Sequence, residues 1–162
     1  MQMDTYECML GTIESEISFG STTIRVYRPK ELISGQIGYS IDQKGKPLSG
    51  DENGDWRNTW LVIGYDETCG DPIFIDTAEE GYPVYTAMIG QSRWDPVCIA
   101  VSLAAFGHAL SVIAIIAKGR EYPVALEQNP LTQSEKDTAL ATIRKHNPGI
   151  DLGFWQTLLN EA

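Results

Sequence analysis

Residues 59–88 read TWLVIGYDETCGDPIFIDTAEEGYPVYTAM, and this stretch decides the fold. Thr59 to Tyr65 is rich in β-branched and aromatic residues, which predicts a strand. Asp66 to Asp71 (DETCGD) predicts a turn, because Asp supplies local hydrogen bonds and Gly the positive φ that a reversal needs. Pro72 to Asp76 (PIFID) is the returning strand, Thr77 to Tyr82 turns again, and Pro83 to Met88 is a third strand. A parallel crossover needs about a dozen residues or more, so strands joined by loops this short form an antiparallel meander.

Upstream of the meander, Met9, Ile13 and Ile17 recur every fourth residue and predict a helix over Asp4 to Ile17, stopped by Gly20. Ser21 to Tyr27 is β-branched and reads as a strand ended by Pro29. Gln36 to Ile41 reads as a second short strand, and Asp42 to Asn58 as a long polar loop.

Downstream the pattern turns helical. Asp95-Pro96 predicts a helix start, with Asp capping free N–H groups and Pro at the first helical position. That helix is expected to run to Ala117 and to stop at Lys118-Gly119-Arg120. Pro96 to Ala117 holds no Lys, Arg, Asp or Glu and is long enough to cross a bilayer. Its Ser102, Gly107, Ser111 and alanines suit close packing in protein, so a buried core helix is expected instead. Trp94, just before the start, is expected to pack as a hydrophobic staple. A second helix begins at Thr132, with Glu135 completing a capping box, and ends before Asn147-Pro148-Gly149; a third covers Asp151 to Asn160. Strands followed by helices define an α+β fold, a mostly antiparallel sheet with helices packed on it. The 162 residues show no repeat or linker, which suits one domain, 1–162. Gly64, Phe74, Ile75, Val84, Ile99, Leu103 and Phe106 are the expected core.

The formal net charge is −10, from 12 basic and 22 acidic residues. Such a surface repels phosphate backbones and anionic lipid, so no direct nucleic acid and no membrane is expected as a partner. A basic protein partner is attracted. Cys8, Cys69 and Cys98 are an odd number without a C-x-x-C spacing, as expected of reduced, mostly buried thiols in a cytoplasmic protein. The opening Met1 to Glu7 has neither the basic nor the apolar segment of a secretion signal.

No signature of catalysis is present: no G-x-S-x-G, no H-E-x-x-H and no Walker loop. No catalytic residue, metal or cofactor is therefore expected. His108 falls inside the apolar helix and is expected to be a satisfied core histidine; His146 is placed at a helix C-terminus, where the dipole favours it. Cys69 sits among Asp66, Glu67 and Asp71, whose carboxylates raise a thiol's pKa and oppose a reactive thiolate. Asp51-Glu52-Asn53-Gly54-Asp55 opens like a calcium loop, but Trp56 and Val62 stand where the glycine and the bidentate glutamate are required.

The distribution of acids is more telling. Asp51 to Glu80 holds nine carboxylates against Arg57 alone, a net of −8 out of the chain's −10. Most lie in loops beside strands. Asp51, Glu52, Asp55, Asp66, Glu67, Asp71, Glu79 and Glu80 are the candidate partner-binding residues, an electrostatic patch that draws in a basic protein.

Ile63-Gly64-Tyr65-Asp66, Gly70-Asp71-Pro72-Ile73-Phe74-Ile75-Asp76, Pro83-Val84-Tyr85, Gly90, Trp94, Ile99-Ala100 and Phe106 together resemble the SUKH superfamily. The resemblance covers roughly Trp60 to Leu110. It implies a curved, mostly antiparallel sheet with helices on it. It also implies the work of a bacterial immunity protein, which neutralises a polymorphic toxin, often a nuclease, by direct binding. A nuclease site built for phosphate is basic and would attract carboxylates. Two other roles stay open on the residues alone: a regulatory adaptor for a cellular protein, as in the family's fungal cell-wall assembly regulator, and an enzyme or small-ligand protein without a recognisable motif.

Overall fold

The structure, a computed structural model, describes residues 5–90 and 92–161. Met1 to Asp4, which hold the expected helix start and part of the segment read for a secretion signal, lie outside them. Among the described residues the order is α1 (Thr5–Leu10), β1 (Glu16–Phe19), β2 (Thr22–Val26), a 3-10 turn at Pro29–Glu31, α2 (Leu32–Gly35), β3 (Trp60–Asp66), β4 (Pro72–Asp76), β5 (Val84–Thr86), β6 (Val97–Ala100), α3 (Leu103–Ala117), α4 (Pro123–Gln128), α5 (Gln133–His146) and α6 (Gly153–Glu161). The six strands form one curled sheet in sequence order, each antiparallel to the next, and the fold is α+β.

The expected meander is present over β3, β4 and β5, with the turns where their Asp and Gly residues place them. Asp66 Oδ1 accepts the Thr68 N–H at 2.8 Å, and Gly70, at φ +81°, donates its N–H to Asp66 O at 2.7 Å. Gly64 is required by contact. A Cβ there would run into the backbone carbonyl oxygen of Arg25 on β2, beside a bulge that falls between Val62 and Gly64.

Three expected secondary-structure elements are corrected. The helix predicted over 4–17 ends at Leu10, because Gly11 and Thr12 turn the chain: Thr12 Oγ1 donates back to Met9 O, and Arg28 Nη1 takes the carbonyls of Leu10, Gly11 and Ile13. Ile17 then enters β1, paired with Ile24. Gln36 to Ile41 is not a strand. It follows α2 as a tight loop with only single bridges from Ile41 to Ile37 and Pro47, and Gln36 turns its side chain to the backbone of β3. The helix expected from Pro96 starts at Leu103. Val97 to Ala100 completes the sheet instead, and Ser102 is the cap, its Oγ accepting the Ala105 N–H at 3.0 Å. Among the described residues no helix is long and apolar enough to cross a membrane.

Alternation along the strands divides the core in two. Ile63, Ile73, Ile75, Val84 and Ile99 face the helices and pack with Leu103, Phe106, Leu110, Ile113 and Trp155. Val62, Phe74 and Ala87 face the other side, where Trp56 from the polar loop covers them with Trp60, Tyr39 and Trp94 around it. All seven expected core residues are buried. Phe74, however, lies under the loop, not under α3, and Trp94 joins this aromatic cluster instead of stapling a helix.

Buried polar groups tie the helices down. The expected capping box of α5 is formed by Thr132 and Glu135, and Glu135 also takes both outer nitrogens of Arg120, which closes α3 and holds the carbonyl of Asn129 at 2.7 Å. At the other end of α5, fully buried Asn147 accepts the Val101 N–H at 2.9 Å, and the Trp155 indole donates to Ile99 O at 2.8 Å.

Candidate partner-binding face

The antiparallel register fixes where the acids stand. Asp66, Glu67 and Asp71 lie at the β3–β4 turn, and Glu79 and Glu80 at the β4–β5 turn, at opposite ends of the same strand pair. The six-residue step from Trp60, paired with Asp76, to Asp66 places about 20 Å between the two ends. Asp51, Glu52 and Asp55 are in neither group. Their loop is laid over the outer sheet face by Trp56 and tied to the β5–β6 connection, where Trp94 donates its N–H to Gly54 O at 2.8 Å. The eight candidate residues therefore form three acidic sites.

Several of these carboxylates also have structural duties. Asp55 accepts the Glu52 N–H at 3.0 Å. Glu79 accepts the Tyr85 hydroxyl at 3.2 Å. Glu67 lies 3.4 Å from Arg25, which is also paired with Glu16 at 2.7 Å. Asp71 Oδ1 accepts the Ile89 N–H at 2.9 Å.

The β3–β4 end differs from the other two in what surrounds it. The bond from Ile89 to Asp71 holds the start of the β5–β6 connection beside the turn, and Thr86 pairs with Val97 on β6. Met88, Ile89 and Val97 are exposed there, at 62%, 42% and 54%. Between the turn and α6 runs a half-open cleft of about 380 Å³ lined by Asp66, Asp71 and Cys69 on one side and Phe154 and Leu158 on the other, with Val97 between. The three exposed apolar residues escaped the sequence reading. Met88 and Ile89 carry the only local signal, an apolar pair between a strand and Gly90; Val97 was hidden in the run read as helix.

Cys69 is exposed in this turn, and its thiol is pushed up to about 11, by burial first and then by the Asp66 and Asp71 carboxylates. Cys8 is exposed as well and Cys98 partly so, which corrects the expectation of mostly buried thiols; no disulfide joins the three. His108 is corrected too: it is exposed on α3, with its ring centroid 3.8 Å from that of His146 at the end of α5. Among the described residues no three His, Cys, Asp or Glu side chains come together as they would to hold a metal ion.

No family model, no curated protein and no solved structure matches the chain.

Proposed function

We propose that the chain is a protein-binding module that works without catalysis, an immunity protein of the SUKH type that neutralises a basic toxin domain by direct contact in the cytoplasm. The observation that carries this reading is the β3–β4 end. There, Asp66, Glu67 and Asp71 border the exposed Met88, Ile89 and Val97 on a rigid strand pair. Apolar surface beside a charged rim is the composition of a protein interface, the apolar part holding the complex and the charges guiding encounter. With nine of the 22 acids between Asp51 and Glu80, the field around the strand ends favours a cationic partner. The resemblance of residues 60–110 supplies the kind of partner, a toxin whose site is built for phosphate.

Co-expression tests it. A toxin domain encoded beside this gene should arrest growth alone and be tolerated when the chain is present, and the two purified proteins should elute as one complex. Growth arrest unrelieved by the chain, with no complex formed by any neighbouring toxin domain, would overturn the reading.

A further inference from the structure

We propose that the cleft between the β3–β4 turn and α6 receives a single arginine or lysine side chain of a basic protein partner. The proposal rests on the protein-binding reading above and names the contact at its centre. Such side chains combine an apolar stem with a cationic head. The cleft offers both counterparts, Val97, Phe154 and Leu158 for the stem and the carboxylates of Asp66 and Asp71 for the head.

The carboxylates are held before any partner arrives. Asp66 accepts the Thr68 N–H at 2.8 Å and Asp71 the Ile89 N–H at 2.9 Å, each through Oδ1. A carboxylate offers about four lone-pair positions, so the backbone donor on each, with the Cys69 thiol also on Asp71, still leaves acceptor sites for a guanidinium or ammonium. Arginine suits the pair better than lysine, because its planar fork can meet two oxygens at once. The setting also favours a protein's side chain over a free small molecule. The cleft is half open and stands at the lower end of ligand-pocket sizes, about 380 Å³, and its neighbours Met88 and Ile89 are exposed apolar surface that a protein would cover and a small ligand would not.

The test uses capped amino acids and amide NMR spectra of the intact chain. N-acetyl-arginine amide should shift the Thr68, Cys69, Thr86, Val97 and Phe154 signals saturably, N-acetyl-lysine amide the same signals more weakly, and N-acetyl-norleucine amide hardly at all. Asp66→Asn with Asp71→Asn keeps an acceptor oxygen for both backbone bonds while deleting the charge, and should weaken arginine amide about tenfold or more. Glu14→Gln with Glu127→Gln, exposed and away from the cleft, should leave it unchanged. The spectra themselves report whether each variant is folded. Shifts that do not saturate, equal shifts with norleucine amide, or undiminished binding to the Asp66/Asp71 variant would overturn the proposal. A protein complex weakened by Glu67→Lys with Asp71→Lys, while arginine amide stays unbound, would sink the cleft and leave the protein-binding reading standing. Saturable arginine amide binding by a chain that forms no complex would do the reverse.

Discussion

The side chain of Gln36 stands where a strand would stand beside Val62. Its Nε2 donates to Val62 O at 2.8 Å, its Oε1 accepts the Val62 N–H at 2.9 Å, and Nε2 also holds Leu32 O at 2.8 Å. β2 pairs with β3 from Ile24 to Val26 and then leaves, with Tyr27 bonding Ile63 O as the last contact. Gln36 takes up the next backbone pair, 26 residues away in sequence.

Replacing Gln36 by Leu should cost about 1–3 kcal/mol for each of the two Val62 groups left without a partner. Urea unfolding followed by circular dichroism measures it. A loss under about 0.5 kcal/mol would mean that water replaces the amide at no cost.

Gly64→Ala should be worse than its one added methyl suggests. The obstacle is the Arg25 carbonyl, which is backbone within the sheet and has no rotamer to yield. About 3 kcal/mol, the upper end of an overpacking cost, should be lost, seen as a lowered Tm or as insoluble protein. Gly38→Ala supplies a contrast, since nothing lies within 4 Å of a Cβ there and only its positive φ resists substitution.

Glu135 governs part of the acid response. The Thr132 backbone N–H, followed by Arg120, holds its carboxyl below the usual glutamate value. A lowered folded pKa contributes stability that is fully present above the unfolded value of about 4.3 and is lost as pH falls through the folded one. Glu135→Gln should thus destabilise the protein at pH 7, and its gap from wild type should narrow as pH falls below about 4.3 in paired denaturation curves.

Cys69, exposed yet with its thiol near 11, should alkylate slowly. In a Cys8→Ser background its rate with iodoacetamide should still climb about tenfold per pH unit from pH 8 to 10, because only the thiolate reacts. Asp66→Asn with Asp71→Asn should speed the reaction at pH 8, but modestly, since burial is the larger cause of the shift.

The two strand ends should separate in association kinetics. Glu67→Lys with Asp71→Lys should slow binding of the proposed basic partner at low salt and bring its salt dependence down. Glu79→Lys with Glu80→Lys, about 20 Å away at the other end, should change it far less. Equal effects from both pairs would mean that net charge alone sets the encounter. Stopped-flow association after a check of folding decides between them.

What was legible in the sequence was local. The turns at Asp66–Asp71 and Thr77–Tyr82 and the capping box of Thr132 and Glu135 announce themselves because their partners lie within a few residues. What escaped depends on distant partners. Asp95-Pro96 has the chemistry of a helix start, yet Val97 to Ala100 has β5 waiting for a neighbour, and pairing wins over local propensity. Trp56 looks like one aromatic in a polar loop until Phe74 and Trp60 are placed beneath it. The eight acids read in the sequence as one electrostatic patch, yet they stand at three places, since adjacency in sequence does not say which end of a strand pair each turn occupies.

The Asn147 and Trp155 bonds have a consequence for assembly. β6 borders the sheet, and the rim of such a strand offers carbonyl and amide groups to any passing extended chain. Here the Ile99 carbonyl and the Val101 amide are already occupied by side chains from the helical layer. A foreign strand seeking to add itself at this margin meets an indole and a carboxamide in its place. Strand addition, and stacking into fibrils, is thereby discouraged at the Ile99–Val101 end of this border, where a visitor is met by side chains.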